Sequence, residues 1–344
     1  MKKAISLSGI IISVVFISSF YGSVYAGSNI QIQLLEKLAE IKETYPGNED
    51  NYFWNICDLC CDKTGNLYVA DSGWNKIFKF DTNLKYVVSI GKEGQGPGEF
   101  SVKPRGAPLK IHFGNDGKIY VLDPAMRRLS QFEKNWEFQK SFPLNKISSD
   151  SPLVNSNGDI FLLAKSSESD LIHIFDSESG FKKSFFKAEY HYDYPYLKPP
   201  KIMLNKPVND YDLMKFMTKD DHIVILSNYS LTVFHFDQEL NLINKFRIID
   251  SKEFESDIKK KLIKALSFDG FVVPFKACLD NKNHLYILYS YEADKQQKIY
   301  QYNLKGQLMS VYQLPEKINS IFCVNDEGVI FGAIENKTMV GIYR

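Results

Sequence analysis

The chain has 344 residues, 42 basic against 41 acidic, and an aromatic content of 14%. This near-neutral balance excludes the concentrated basic surface that a nucleic-acid partner needs. Five cysteines in so long a chain exclude a disulfide-dense secreted scaffold, although the sequence alone fixes no pairing.

The first 26 residues read as a removable export signal. Lys2 and Lys3 form a positive start, Ala4 to Phe20 is mostly apolar, and Val24-Tyr25-Ala26 has the small-x-Ala form of a signal-peptidase site. The apolar run Ile10 to Phe20, with serines inside it, is short for a bilayer span. Removing this segment takes Lys2 and Lys3 away and leaves 40 basic residues against 41 acidic ones. Residues 27–344 then read as one domain, periplasmic or secreted, monomeric, with no transmembrane segment after cleavage.

From residue 65 onward the chain repeats itself. The stretch GNLYVADSGWNKIFKFDTNLKYVVSIG at 65–91 reads as three short strands separated by turns, and weaker copies follow to the last residue. Tyr68 pairs with Phe80 at a separation of twelve. The later pairs are Tyr120 with Phe132, Phe161 with Phe175, Val224 with Phe236, Tyr286 with Tyr302, and Phe331 with Tyr343. Turn residues such as Asp62, Gly65, Asn115, Gly117, Asn155 and Gly158 precede the first member of each pair. Asp81, Asp176, Asp237 and Asn303 follow the second, offering side-chain acceptors to tight turns. A fourth strand usually follows, as at Tyr86–Ile90, Phe138–Phe142 and Leu308–Tyr312. The spacing predicts an all-β, six-bladed β-propeller with four-stranded blades.

The sixth copy ends at Arg344 after three strands, which would leave an open sheet edge. Residues 29–34, NIQIQL, alternate apolar and polar, so they are expected to supply the missing outer strand and close the ring. Residues Leu35 to Tyr45 are expected to form a short helix.

The first copy resembles the NHL repeat in Gly65-Asn66-Leu67-Tyr68-Val69-Ala70-Asp71, Asn75-Lys76-Ile77, Phe80-Asp81 and Ile90-Gly91. The following Gly94-Gln95-Gly96-Pro97-Gly98-Glu99-Phe100 is similar to the linker of secreted bacterial six-bladed propellers of that type. The resemblance covers residues 56–100 best and residues 109–144 fairly. It implies a binding platform in most cases, and in some relatives a lyase or lactonase with a metal in the central channel.

In such a ring the second turn of each blade and the blade-to-blade connections share one face. The long irregular segments, at 92–109, 187–211 and 250–273, are all connections, so variable material gathers there. The first holds Glu99 and Arg105 among glycines and prolines, without the lysine and helix of a phosphate loop. The second carries Tyr190, His191, Tyr192 and Tyr194, rings with polar tips suited to protein or carbohydrate contact. The third has apolar residues at helical spacing over about 251–266 and Ser251 as an N-cap, which predicts a short helix on the propeller face. Trp74-Asn75 and Arg127-Arg128 occupy turns of the same face, and the arginines are suited to a carboxylate or phosphate.

Cys60, Cys278 and Cys323 fall at one equivalent position of the innermost strand, where the other copies carry His112, Leu153 and Phe216. Packing explains them better than zinc. Cys57 and Cys60, three apart in one strand, should face opposite ways, and no second pair accompanies them. A disulfide involving Cys57 or Cys61 remains open. The six histidines lack metal-ligand spacing, no nucleophile motif is present, and Asp58 is the one obvious inner-strand carboxylate. Composition and motifs therefore favour a non-catalytic, cofactor-free binding module outside the cytoplasm, with a protein or carbohydrate partner. The alternative is a metal-dependent lactonase- or lyase-like enzyme with calcium at the channel.

Overall fold

The computed structural model describes residues 31–42, 52–100, 109–144, 151–163, 170–178, 180–187, 213–227, 232–248, 275–289, 297–319 and 321–344. The expected signal segment 1–26, the expected helix at 251–266, Arg105 and the aromatic run 190–196 lie outside the described residues.

Six sheets, antiparallel except for one added strand, stand around a central axis. Blade one is built from β3 (Ile56–Cys61), β4 (Leu67–Asp71), β5 (Lys76–Phe80) and β6 (Tyr86–Ile90). Blade two holds β7 (Lys110–Phe113), β8 (Ile119–Asp123), β9 (Arg128–Phe132) and β10 (Phe138–Pro143). Blades three and four run from β11 (Leu153–Val154) to β14 (Phe181–Lys187) and from β15 (Leu213–Met217) to β18 (Leu242–Arg247). Blade five runs from β19 (Phe275–Leu279) to β22 (Leu308–Gln313). Blade six contributes only β23 (Phe322–Val324), β24 (Ile330–Ile334) and β25 (Met339–Tyr343) from the C-terminal part of the chain. The innermost strands pack side by side around the ring, from β3 against β7 round to β23 against β3. Between blades two and three a backbone hydrogen bond adds to the apolar layer: Asn115 N donates to Val154 O at 2.9 Å.

The twelve-residue aromatic spacing has a packing cause. Tyr68 points into the apolar layer between blades one and two, whereas Phe80 points into the layer between blades six and one. Tyr120 and Phe132 do the same for the layers on either side of blade two. Tyr286 and Tyr302 do so for blade five, and Phe331 and Tyr343 for blade six. The first residue of each pair packs on one neighbouring blade and the second on the other. Each repeat thus carries large side chains for both of its interfaces, and burial of such rings is the main stabilising contribution between blades.

The turns follow their acceptors. Asp62 Oδ1 accepts from Thr64 N and Asn66 N at 2.9 and 3.0 Å. Asn155, Asp280 and Asn325 hold the matching turns of blades three, five and six in the same way. Asp81, Asp176 and Asn303 do this between the third and fourth strands.

The ring is closed by the N-terminal segment, but two of the expected details are corrected. Residues β2 (Lys37–Ile41), not 29–34, form the outer strand of blade six, pairing antiparallel with β25. Residues β1 (Ile32–Leu34) add in parallel to β22 as a fifth strand of blade five. The expected helix from Leu35 is therefore absent over residues 37–41. The alternation of 29–34 identified a strand correctly but not its partner. Leu35 and Ile41 decide the register, because both are buried, between blades five and six and between blades six and one respectively. Leu34 and Leu38 stay exposed. Among the described residues no helix is long and apolar enough to cross a membrane.

Candidate functional site

The lead-in to blade one, Tyr52-Phe53-Trp54-Asn55, runs along the same face as the turn 72–75. Phe53 is fully buried between blades six and one, so its neighbours on either side turn outward. Tyr52 is 47% and Trp54 58% exposed. Both rings meet Trp74 edge-on, with centroids at 5.3 and 5.5 Å. The Trp74 indole N–H donates to Tyr52 O at 2.8 Å. Trp54 lies directly over Gly73, where a Cβ would come within 2.5 Å of its ring, so glycine is required for the close approach.

This cluster is positioned by a buried carboxylate. Asp71, at the end of β4 and fully buried, accepts from Trp54 N at 2.7 Å, Asn55 N at 3.1 Å, Gly73 N at 2.8 Å and Trp74 N at 3.2 Å. Burial raises the Asp71 carboxyl above its usual value, while these four donors act in the opposite direction.

The other candidates of this face divide sharply. Asn75 is buried, in a left-handed conformation with φ of 54°, so it shapes the turn rather than offering itself to a partner. Arg127, its counterpart in blade two with φ of 49°, is exposed. Arg128 is committed to the glycine-rich connection. Its guanidinium donates to Gln95 O at 3.0 Å, to Gly96 O at 3.3 Å and to Glu99 O. Glu99 folds back onto the same loop, accepting from Gly96 N at 2.8 Å and pairing with Lys92 at 2.9 Å. The Lys92 ammonium and the Gly96 N–H hold its carboxyl below the usual range. Glu99 and Arg128 thus brace the connection, whereas Arg127 is exposed and Trp74 is half-buried. The sequence reading missed Tyr52 and Trp54. Its available signal was the alternation out–in–out of 52–54 just before an inner strand.

The inner strands enclose a cavity of about 310 Å³ along the axis. Its wall includes Asp58, Lys110, His112, Lys215, Lys276 and the thiols of Cys60, Cys61, Cys278 and Cys323. Asp58 accepts from Ile111 N at 2.8 Å. Burial raises its carboxyl, and Lys110 partly offsets this. Lys215 donates to Ser151 O. His112 Nε2 accepts from Val154 N at 3.3 Å. Desolvation, with the Lys215 ammonium nearby, pushes the imidazole down to about 3. The Cys60, Cys278 and Cys323 positions are equivalent in register, opposite Tyr68, Tyr286 and Phe331, as His112 is opposite Tyr120. One expectation is corrected. A bulge at Cys57, between the pairs Ile56–Asp71 and Asp58–Ala70, turns Cys57 and Cys60 toward the same apolar layer.

A calcium ion takes six to eight oxygen ligands. The described wall presents ammonium groups, thiols and two carboxylates, Asp58 and Asp280, both already accepting from backbone N–H groups, and this set does not fit that ion. Among the described residues no group of three or more His, Cys, Asp or Glu side chains is arranged to hold a metal.

The His112 imidazole gives a pH prediction. Its folded value lies below its ordinary value of 6.5, so the unfolded chain binds the proton more readily. Stability from this group is complete above pH 6.5 and is lost as pH falls toward 3. At pH 4 one such proton corresponds to about 3 kcal/mol. Thermal melts between pH 7.5 and 4 should therefore show a smaller acid loss for His112→Gln than for the wild type. Equal losses would show that His112 is not held neutral.

Sheet number, blade size and channel define a six-bladed β-propeller, with an aromatic cluster of Tyr52, Trp54 and Trp74 on one face. Residues 46–300 match the DUF5128 family of six-bladed β-propellers, and the chain belongs to that family. A protein designated as exported, from Bacteroides fragilis, is similar in fold, with a TM-score of 0.57 at 14% identity over 90% of this chain and 95% of its own. A DUF4221-family member from Bacteroides vulgatus gives 0.54 at 14% identity over 90% and 97%. Virginiamycin B lyase from Staphylococcus aureus gives 0.50 at 12% identity over 90% and 99%. No curated protein sequence matches the chain.

Proposed function

We propose that the chain is an extracytoplasmic, non-catalytic binding module that holds a protein or carbohydrate partner against the Tyr52–Trp74–Trp54 cluster. The observation that carries this reading is the pair of exposed rings set edge-on to a third, on backbone fixed by a buried carboxylate. Large aromatic rings on rigid loops give contact area at little cost in conformational entropy, and such residues dominate binding surfaces. Arg127 adds an exposed cation on the same face, and the export-signal character of residues 1–26 supports the location. The ammonium- and thiol-rich wall of the channel supports binding over metal-dependent lactonase- or lyase-like catalysis.

Glycan arrays and pull-downs from the producing cell's envelope, each with wild type and Trp54→Ala, test the proposal. The partner bound by the wild type should bind Trp54→Ala at least about tenfold more weakly, the loss typical of a central aromatic contact. Trp54 is half in solvent, so the variant should keep the wild-type melting temperature within about 3 °C. Partner binding unchanged in both Trp54→Ala and Tyr52→Ala would overturn the assignment of this face.

A further inference from the structure

The first and last blades meet where their innermost strands, β3 and β23, belong to different sheets and exchange no ladder. At that seam the Cys61 and Cys323 sulfurs lie 3.6 Å apart, both as thiols, although 262 positions separate them in the chain. We propose that Cys61 and Cys323 form a disulfide that fastens blade one to blade six beside the channel.

The neighbouring thiols point elsewhere. Cys60 packs toward blade two, and Cys278 packs between blades five and six. Cys57 is buried, and its thiol contacts Ala70 O and Leu109 O at 3.4 and 3.5 Å. Cys61 and Cys323 share the apolar layer between blades six and one, while Cys57 and Cys60 lie in that between blades one and two and Cys278 in that between blades five and six. The remaining fastening of this seam is the packing of that layer and, at the rim, the pairing of β2 with β25. A covalent bond at the inner edge would hold the side of the seam that hydrogen-bonded strands do not reach.

The chemistry is thiol–disulfide exchange with a disulfide donor, an oxidoreductase in the cell or oxidised glutathione in the test. Cys61, half-buried and lining the cavity, is the accessible partner. Its thiolate attacks one donor sulfur and releases the other as a thiol, leaving a mixed disulfide. The Cys323 thiolate then attacks Cys61 Sγ and displaces the second donor thiol. Two protein thiols and one donor disulfide become one protein disulfide and two donor thiols. Burial and the adjacent Cys61 raise the Cys323 thiol well above its ordinary value, so this second step draws on a small thiolate fraction offset by the 3.6 Å approach of the two sulfurs.

Supply of the donor rests on the extracytoplasmic location proposed above, since disulfides persist in oxidising compartments. The protein, equilibrated with oxidised and reduced glutathione, quenched in acid and then unfolded in denaturant, should keep three of its five cysteines open to alkylation. Fragment masses should place the bond on Cys61 and Cys323. Cross-linking a loop this long should raise the melting temperature by about 5–10 °C over the protein in dithiothreitol. That rise should vanish in Cys61→Ala and in Cys323→Ala and persist in Cys278→Ala. Five open thiols after oxidation, or a bond that survives Cys61→Ala, would overturn the proposal. The thiol count needs only the wild type, so it decides the matter even where a variant fails to fold. A bond that forms in vitro but is absent from protein isolated from its native compartment would overturn the export reading while upholding the site.

Discussion

A chain beginning at residue 43 should melt at least about 10 °C below one that retains β1 and β2, and should associate on standing. The reason lies in what those twelve described residues do. Their backbone completes blade six through the β2–β25 ladder and through reciprocal bonds between Glu36 and Arg344 at 2.9 and 3.1 Å. Leu35 N donates to Gln313 O at 3.0 Å, extending the hold to blade five. Leu35 and Ile41 are both buried, and full burial of such side chains is worth about 2–3 kcal/mol each. Lys37 pairs with Glu40 and with Glu316 at 2.8 Å, and exposure limits these pairs to a small contribution. Removing the segment also bares the edge of β25, a strand with buried Val340 and Ile342, to other chains. Differential scanning calorimetry with sedimentation velocity would measure both effects. Ile41→Ala should show part of the loss and Leu34→Ser, at a 72% exposed position, almost none. An unchanged melt in the shortened chain would show that the ring closes without its N-terminal strand.

Replacing Asp71 by alanine should be nearly as damaging, at about 3–5 kcal/mol, or on the order of 10 °C in melting temperature. One fully buried carboxylate satisfies four backbone N–H groups from two chain segments, 54–55 and 73–74. Without it those donors lose their acceptor where water has little access, and each unsatisfied group carries a desolvation cost. Asp71→Asn keeps one acceptor oxygen and should fall between. Asp81→Ala is the control. Asp81 also caps backbone N–H groups, of Asn83 and Lys85, but at an exposed turn where water replaces it, so its loss should cost about 1 kcal/mol or less. The Asp71 variants also test function. Trp54 and Trp74 are held through their own backbone N–H groups by this carboxylate, so partner binding should weaken in Asp71→Asn under conditions where the protein remains folded. Stability and partner affinity both unchanged in Asp71→Ala would remove Asp71 as the positioning residue.

Several features were legible because local physics fixes them. Asp62, Asp81, Asn155 and Asn325 announce tight turns, since a short side chain with an acceptor can only satisfy nearby donors. Pairs such as Tyr68 with Phe80 announce blades, since a strand between two neighbours must present bulk to each. The site was less legible. Glu99 and Arg128 look like free ionic groups in the sequence, yet each closes a contact within the connection 92–100. Tyr52 and Trp54 precede the first repeat unit and so carry no repeat signature. Their exposure follows only from Phe53 taking the buried place between blades six and one.

By itself, the sequence determined an all-β ring of six repeated sheets and the turns between strands, because each depends on residues within about a dozen positions. Only the tertiary structure decided that 37–41 rather than 29–34 completes blade six, that Cys57 bulges to face with Cys60, that Cys61 meets Cys323, and that three aromatic rings cluster on one face. Each of these depends on which strand lies beside which once the ring has closed. A period of two along a strand records which residues face a neighbour, and carries no record of which neighbour that is.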